Sequence, residues 1–252
     1  MAFFEVPGPN ATGLRLAYDV EGGGLPIILV HGFASSRITN WKATGWYAAL
    51  AKAGRTVAAF DVRGHGDSDK PHERAAYDEG ELARDVVRLM DHLEIERADV
   101  MGYSMGGFIC LRLLAEVPQR LNKVIIAGVG ENYYRRTSVD SDAIAAGLRV
   151  ATARDVKEAV PRQFRLFAEQ GKNDLEALAL CMERPRQTIS SFPDAGVPVL
   201  IVVGATDSVA GDAQVLARAV PNAQVVVIAN RDHMQTVGDK LYKDAVIAFL
   251  AA

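Results

Sequence analysis

The chain has 252 residues, of which 49% are hydrophobic and 23% charged, with a net charge of −3. That size and polarity allow a full hydrophobic core in one large domain or two small ones. The near-neutral balance gives no general electrostatic basis for nucleic acid or an anionic membrane as partner.

In chain order, residues 2–6 and 13–20 read as two strands joined by the turn Pro7-Gly8-Pro9-Asn10. Residues 26–30 form a wholly apolar run ending at His31-Gly32, and residues 41–53 carry helical periodicity. Residues 56–60 are a further β-rich run ending at Asp61. Residues 79–93 are amphipathic, with Leu82, Val86, Leu89, Met90 and Leu93 on one face. A strand over 98–103 runs into a turn at Ser104 and a helix that Pro118 stops. Strands follow over 121–128, 197–203 and 223–228, with helices near 213–219 and 240–250. This alternation predicts an α/β fold, a mostly parallel sheet with helices on both faces. The continuous apolar strands IILV, VIIAG and VLIVVG suit a sheet buried on both sides. Residues 131–192 break the rhythm: they hold helical patterns over 143–150, 156–168 and 175–182 and no convincing strand. They are expected to form a small all-helical cap on a core built from residues 1–130 and 193–252, above the C-terminal strand ends where open α/β sheets bind ligands.

No apolar run reaches the about 18 residues of a transmembrane helix, and MAFFEVPGPN lacks the basic start of a signal peptide. Cys110 and Cys181 have neither metal-ligand spacing nor a disulfide framework. Cys110, in an apolar helical pattern, is expected to be a small core residue. A reducing, cytoplasmic compartment is expected. Basic pairs such as Arg135-Arg136 are scattered.

The stretch Gly102-Tyr103-Ser104-Met105-Gly106-Gly107 stands where a strand enters a helix. A turn that tight forces its central residue into a strained conformation and leaves no room for neighbouring Cβ atoms, so glycines must flank it. The strain lifts the Ser104 hydroxyl to the top of the sheet and aims the first N–H groups of the helix at the same point, as in the Gly-x-Ser-x-Gly motif. The competing reading is a glycine-rich nucleotide-binding turn. Gly-x-Gly-x-x-Gly is incomplete here and no Gly-Lys-Ser/Thr occurs. A serine nucleophile needs a base. Of five histidines, His31 and His65 lie in early glycine-flanked turns, His72 in a polar loop and His92 near a helix end. His233 follows the last strand, in the loop expected beside the serine turn. Asp207, at the end of strand 197–203, is the preferred acid to orient it; Glu131 is a second contender. Asp212 reads as a helix cap and Asp232 as a loop residue.

The chain order Ser104, Asp207, His233 with a serine elbow resembles the α/β-hydrolase superfamily over nearly the whole chain. His31-Gly32-Phe33 looks like that family's oxyanion loop. The resemblance implies that the N–H groups of Phe33 and Met105 would form the oxyanion hole. Asp61-Val62-Arg63-Gly64-His65-Gly66-Asp67-Ser68 looks like the family's Asp-x-Arg-Gly-x-Gly-x-Ser segment, implied to be structural, as is His31. One departure is Asp232, where the family often has glycine before the catalytic histidine.

These parts imply acyl transfer on a small-molecule substrate, with no metal or organic cofactor. The expected activity is that of a serine esterase or lactonase acting on small or medium substrates. Tyr103 and Phe33 are expected to line the pocket as bulk, and Trp41 and Trp46 to be core residues. A serine in the elbow argues against epoxide hydrolase and dehalogenase chemistry, which uses a carboxylate there. Carbon–carbon hydrolysis of vinylogous diketones, perhydrolase activity and a non-catalytic receptor remain alternatives on the same fold. Substrate identity and oligomeric state are open at this level.

Overall fold

The computed structural model describes residues 2–9, 12–135, 141–184 and 187–252. Its strands are β1 (Ala2–Pro7), β2 (Gly13–Gly22), β3 (Leu25–Val30), β4 (Arg55–Phe60), β5 (Ala98–Tyr103), β6 (Leu121–Ala127), β7 (Val199–Gly204) and β8 (Ala223–Ile228). They form one sheet in the order β1-β2-β4-β3-β5-β6-β7-β8. β1 and β2 are antiparallel, as are β2 and β4; the pairs from β4 to β8 are parallel. The order reverses around β3, which lies between β4 and β5. That switch point opens a crevice at the strand ends, where α/β sheets take ligands.

Alternation along each strand divides the core into two layers. Ile28 and Val30 of β3, Val100 of β5 and Val124 and Ile126 of β6 face one side. There they pack on Leu82, Val86 and Leu89 of helix α2 (Glu79–His92) and Ile109 and Leu113 of helix α3 (Met105–Glu116). Ile27, Leu29, Met101 and Ile125 face the other side, against helix α1 (Trp46–Lys52) and Tyr242 and Val246 of helix α9 (Lys240–Ala251). Full burial of each Val, Leu or Ile contributes about 1.5–3 kcal/mol, so these continuous apolar strands, covered on both faces, supply most of the drive to form the sheet. Cys110 and Cys181 are buried and not joined in a disulfide, and burial raises the pKa of the Cys110 thiol.

The periodicity over 41–53 does not produce one helix. A π-helical turn, Ile38–Lys42, and α1 are separated at Gly45, which takes φ +81°. Thr44 Oγ1 donates to the carbonyls of Asn40 and Trp41, taking up backbone acceptors at the end of that turn. Both Trp41 and Trp46 remain fully buried. The loop between β1 and β2 is closed by Gly8 N–H donating to Thr12 O at 2.6 Å; Asn10 lies outside the described residues, as does Arg136.

Between β6 and β7 the described residues hold helices α4 (Ser141–Arg149), α5 (Ala159–Gln170) and α6 (Leu175–Met182) and no strand. α5 starts three residues later than its periodicity suggests: Glu158, the residue before it, is extended, and Pro161 sits in the first turn, where a missing N–H costs nothing. The remaining helices are α7 (Ala213–Ala217) and the short α8 (His233–Thr236).

Arg63 of the Asp-x-Arg-Gly segment is 1% exposed and grips Asp85 of α2 through Nε at 2.8 Å and Nη2 at 2.7 Å. Its Nη1 donates to Ala76 O at 2.8 Å. Burial raises the Asp85 pKa although Arg63 and Arg88 oppose that shift. Arg63→Met leaves Arg88 Nη1, at 2.9 Å, as the remaining guanidinium on a buried carboxylate and is expected to cost about 3 kcal/mol in urea unfolding. Arg63→Met/Asp85→Leu is expected to recover at least half; a single-mutant loss under about 1 kcal/mol contradicts the assignment.

Candidate active site

Ser104 follows β5 and precedes α3 with φ 53° and ψ −110°, outside the favoured regions for an L-residue. Its N–H donates to Ala127 O at 2.7 Å, and its carbonyl accepts from Phe108 N–H at 3.1 Å, which pins the turn at both ends. The flanking glycines are sterically required. A Cβ on Gly102 would stand 2.1 Å from Gly106 O, one on Gly106 2.0 Å from Val30 O, and one on Gly107 2.6 Å from Val129 Cγ2.

His233 is the first residue of α8. Asp232, expected as a loop residue, is the N-cap of that helix and accepts from the N–H groups of Met234 and Gln235, with Gln235 completing a capping box. The acid preceding the histidine thus turns away from the site, and its cap fixes the histidine's backbone. His233 Nε2 lies 3.0 Å from Ser104 Oγ, and Nδ1 lies 2.8 Å from Asp207 Oδ2. Asp207 Oδ1 accepts from Val209 N–H at 3.0 Å and Ala210 N–H at 2.8 Å. Every lone pair that matters on this buried carboxylate is therefore directed, and rotation would break three bonds. Glu131, the other contender, forms an ion pair with Arg135 at 3.5 Å and stands beside Gly211.

Tyr103, expected to act only as bulk, also holds the histidine: its hydroxyl donates to the His233 carbonyl. Burial, then the Asp207 charge, keeps the Tyr103 pKa well above its usual value, so the phenol remains a donor.

The loop after β3 lies alongside. A Cβ on Gly32 would stand 3.3 Å from Tyr103 O and 3.5 Å from Ser104 Cβ, so that loop approaches the elbow as closely as glycine permits. Among the described residues neither the Phe33 N–H, in the turn after β3, nor the Met105 N–H, at the first position of α3, donates to a group in a loop, turn or side chain. Gly32 N–H donates to Asn40 Oδ1 at 3.0 Å, and Arg37 N–H donates to Asp61 Oδ1 at 2.7 Å. The Arg37 guanidinium pairs with Asp61, with Asp19 at 2.9 Å and with Asp67 at 3.1 Å. Sequence reading singled out neither Arg37 nor Asn40: their partners are distant in the chain and no local motif marks them. His31 accepts from Val62 N–H on Nε2 at 3.0 Å, so its proton sits on Nδ1, which donates to Gly32 O at 2.7 Å. Burial lowers its pKa, against the pull of Asp61. His65 is likewise buried, with its pKa well below the usual value, and edges onto Phe33. Both histidines brace the loop.

Above Ser104 the helical insertion closes a cavity with about 620 Å³ of empty space, partly open to solvent. Ser104, Phe33, Phe108, Phe164 of α5 and Met182 of α6 line it. An adjoining chamber reaches Asn40, Tyr103 and His233. The insertion is latched to the core by His72, whose Nε2 lies 2.9 Å from Asp174, the N-cap of α6. The bond to Asp174 raises the His72 pKa. Burial opposes the Asp174 charge, but the Ala177 N–H and His72 outweigh it and lower that pKa. The latch is thus fully formed below the unfolded histidine value of 6.5 and above the unfolded aspartate value of 3.8. It is lost as pH rises through the folded His72 pKa. The Tm difference between wild type and His72→Ala is expected to be a few degrees at pH 5–6 and to vanish at the alkaline end of a titration. A difference that grows with pH contradicts this sign.

Among the described residues no group of three or more His, Cys, Asp or Glu is placed to hold a metal ion, and no helix is long and apolar enough to cross a membrane.

The α/β-hydrolase-fold family model matches residues 26–184. This chain therefore belongs to the α/β-hydrolase superfamily. It is 31% identical over 273 aligned positions to the dihydrolipoyllysine-residue acetyltransferase component of an acetoin-cleaving system from Pseudomonas putida, covering 97% of this chain and 69% of that protein. It is also 31% identical over 173 positions to 3-oxoadipate enol-lactonase 2 from Acinetobacter baylyi, covering 61% of this chain and 62% of that protein. A thermophilic esterase from Thermogutta terrifontis superposes with a TM-score of 0.76 at 23% identity, covering 100% of this chain and 98% of that one. The fold and hydrolase family are thus shared with enzymes of several activities.

Proposed function

We propose that this protein is a serine hydrolase that cleaves small or medium carboxylic esters or lactones through an acyl-enzyme on Ser104. The observation that carries the reading is the continuous Asp207–His233–Ser104 hydrogen-bond chain, 2.8 and 3.0 Å long, at the floor of a largely apolar cavity. The enol-lactonase relative and the esterase of the same fold support the substrate class. Residues 131–192 act in this reading as a cap on a core of 1–130 and 193–252. Two buried cysteines not joined in a disulfide suit a reducing, cytoplasmic setting.

In the first half-reaction Ser104 Oγ attacks the carbonyl carbon as its proton passes to His233 Nε2. Asp207 accepts from Nδ1–H throughout, holding the ring and stabilising the imidazolium. The N–H groups of Phe33 and Met105 stabilise the oxyanion, each contributing about 3–4 kcal/mol in sites of this kind. The C–O bond to the leaving group breaks, and that oxygen takes the proton from Nε2. Water then attacks the acyl ester, giving its proton to Nε2. When the C–Oγ bond breaks, Ser104 recovers the proton and the acid leaves. Nothing in this sequence calls for a cofactor.

The test is fluorophosphonate labelling with mass-spectrometric site mapping, run beside a panel of ester, lactone and dienoate substrates on wild type and Ser104→Ala. Ser104 labelling that His233→Ala abolishes is expected, with ester or lactone turnover. A modification at another residue refutes the reading; dienoate cleavage without ester turnover replaces it with carbon–carbon hydrolysis.

A further inference from the structure

One side chain in the cavity above Ser104 serves no step of that mechanism. Arg184, just past α6, is 4% exposed and lines the same chamber as Ser104, Met105 and Phe108. Its Nη1 donates to the Cys181 carbonyl and lies 3.4 Å from Cys181 Sγ. Its Nε is buried without a hydrogen-bond partner. The nearest carboxylate, Glu79 Oε1, stands 3.7 Å from Nε, beyond hydrogen-bond reach, and Glu79 Oε2 accepts from Gln187 N–H at 3.4 Å. No hydrogen bond engages Nη2 among the described residues. A second guanidinium, Arg135, lies at the same chamber, largely exposed and 3.5 Å from Glu131. No Asp or Glu lines the chamber among the described residues.

A buried guanidinium with unmade hydrogen bonds is costly, and it offers a fork that matches a carboxylate. Most of the rest of the wall is apolar, including Phe33, Phe108, Val129, Phe164 and Met182, with Asn132 and Tyr133 as neutral polar groups. We propose that this chamber selects substrates carrying a free carboxylate, with Arg184 as the buried recognition residue and Arg135 as an outer electrostatic guide. The substrate class is a monoester or lactone of a dicarboxylic acid, with an apolar linker between the scissile carbonyl and the anion. This inference rests on the serine-hydrolase reading. The carboxylate stays intact in the reaction and supplies binding and orientation only.

The experiment uses mono-p-nitrophenyl esters of succinic, glutaric and adipic acid, each paired with its neutral methyl diester. For the best-fitting length, wild-type kcat/KM is expected to favour the acid by about 10–100-fold, the worth of a charge-assisted bond to a buried group. Arg184→Met is expected to reduce that acid-to-neutral ratio at least about tenfold, and Arg135→Gln by a smaller, salt-sensitive factor. A second measurement needs no variant: the matching free dicarboxylate protects Ser104 from fluorophosphonate in the wild type and its diamide does not. Ser104 labelling together with no acid preference at any length, or equal protection by diamide, overturns the carboxylate assignment and leaves the hydrolase reading standing. Absence of labelling at Ser104 overturns the hydrolase reading itself.

Discussion

Ser104→Gly and Ser104→Ala are both expected to lose at least about 10⁴-fold in kcat/KM, yet Ser104→Gly is expected to be the more stable of the two by about 1 kcal/mol. Both remove the hydroxyl, so both forfeit the attack and the bond to His233 Nε2. They differ only in the backbone. At φ 53° and ψ −110° any Cβ is strained, at a cost of order 1–3 kcal/mol, and glycine removes it. Against this, glycine costs about 0.4–1 kcal/mol through its freer unfolded chain. At an ordinary helix N-cap glycine is already preferred to alanine, by a few tenths to about 1 kcal/mol. Urea unfolding of the two inactive proteins therefore reads the strain as the margin above that preference. A higher midpoint for Ser104→Ala shows that the elbow is unstrained and removes the reason for a serine with small neighbours there.

Asp207→Asn is expected to lower kcat/KM by about 10⁴-fold with little change in shape. The Val209 and Ala210 N–H groups, at 3.0 and 2.8 Å from Oδ1, require an acceptor, so the asparagine carbonyl oxygen must take that position. Its amide nitrogen then faces His233 Nδ1 as a donor. The imidazole must answer as an acceptor on Nδ1, which moves its proton to Nε2. Nε2–H now points at Ser104 Oγ and cannot take the serine's proton. Steady-state kinetics with fluorophosphonate labelling checks this: labelling slows in parallel with turnover. A loss below about tenfold means that Asp207 does not orient the base. The two N–H donors are what make the substitution decisive, because they leave the amide only one orientation.

The outcome of reading the residues first differs by element. The parallel sheet was legible because its strands are continuous apolar runs bounded by glycines and charged turns, and burial on both faces is the only stable use of such runs. The serine turn was legible for a local reason: Gly102, Gly106 and Gly107 each lack a Cβ that nearby backbone or side chains would exclude, two of them at about 2 Å. The helix expected over 41–53 fractured because Gly45 and Thr44 act on the backbone in ways that hydrophobic periodicity does not report. The role of Asp232 is set by α8, whose first N–H groups it caps, and a loop reading of that residue does not report it. Tyr103 reads as bulk from sequence because its partner, the His233 carbonyl, is 130 residues away.

What the sequence alone determined, then, was whatever one segment decides by itself: strand, turn, elbow, cap, and the residue types capable of nucleophile, base and acid. Only the tertiary structure decided which distant groups meet. Arg37 collects Asp19, Asp61 and Asp67, Arg184 is left with unmade bonds in an apolar chamber, and Asp207 rather than Glu131 faces His233 Nδ1. The physical reason is range. Steric and periodic constraints act between near neighbours in the chain, whereas a buried charge or a directed hydrogen bond depends on which surfaces packing has brought together.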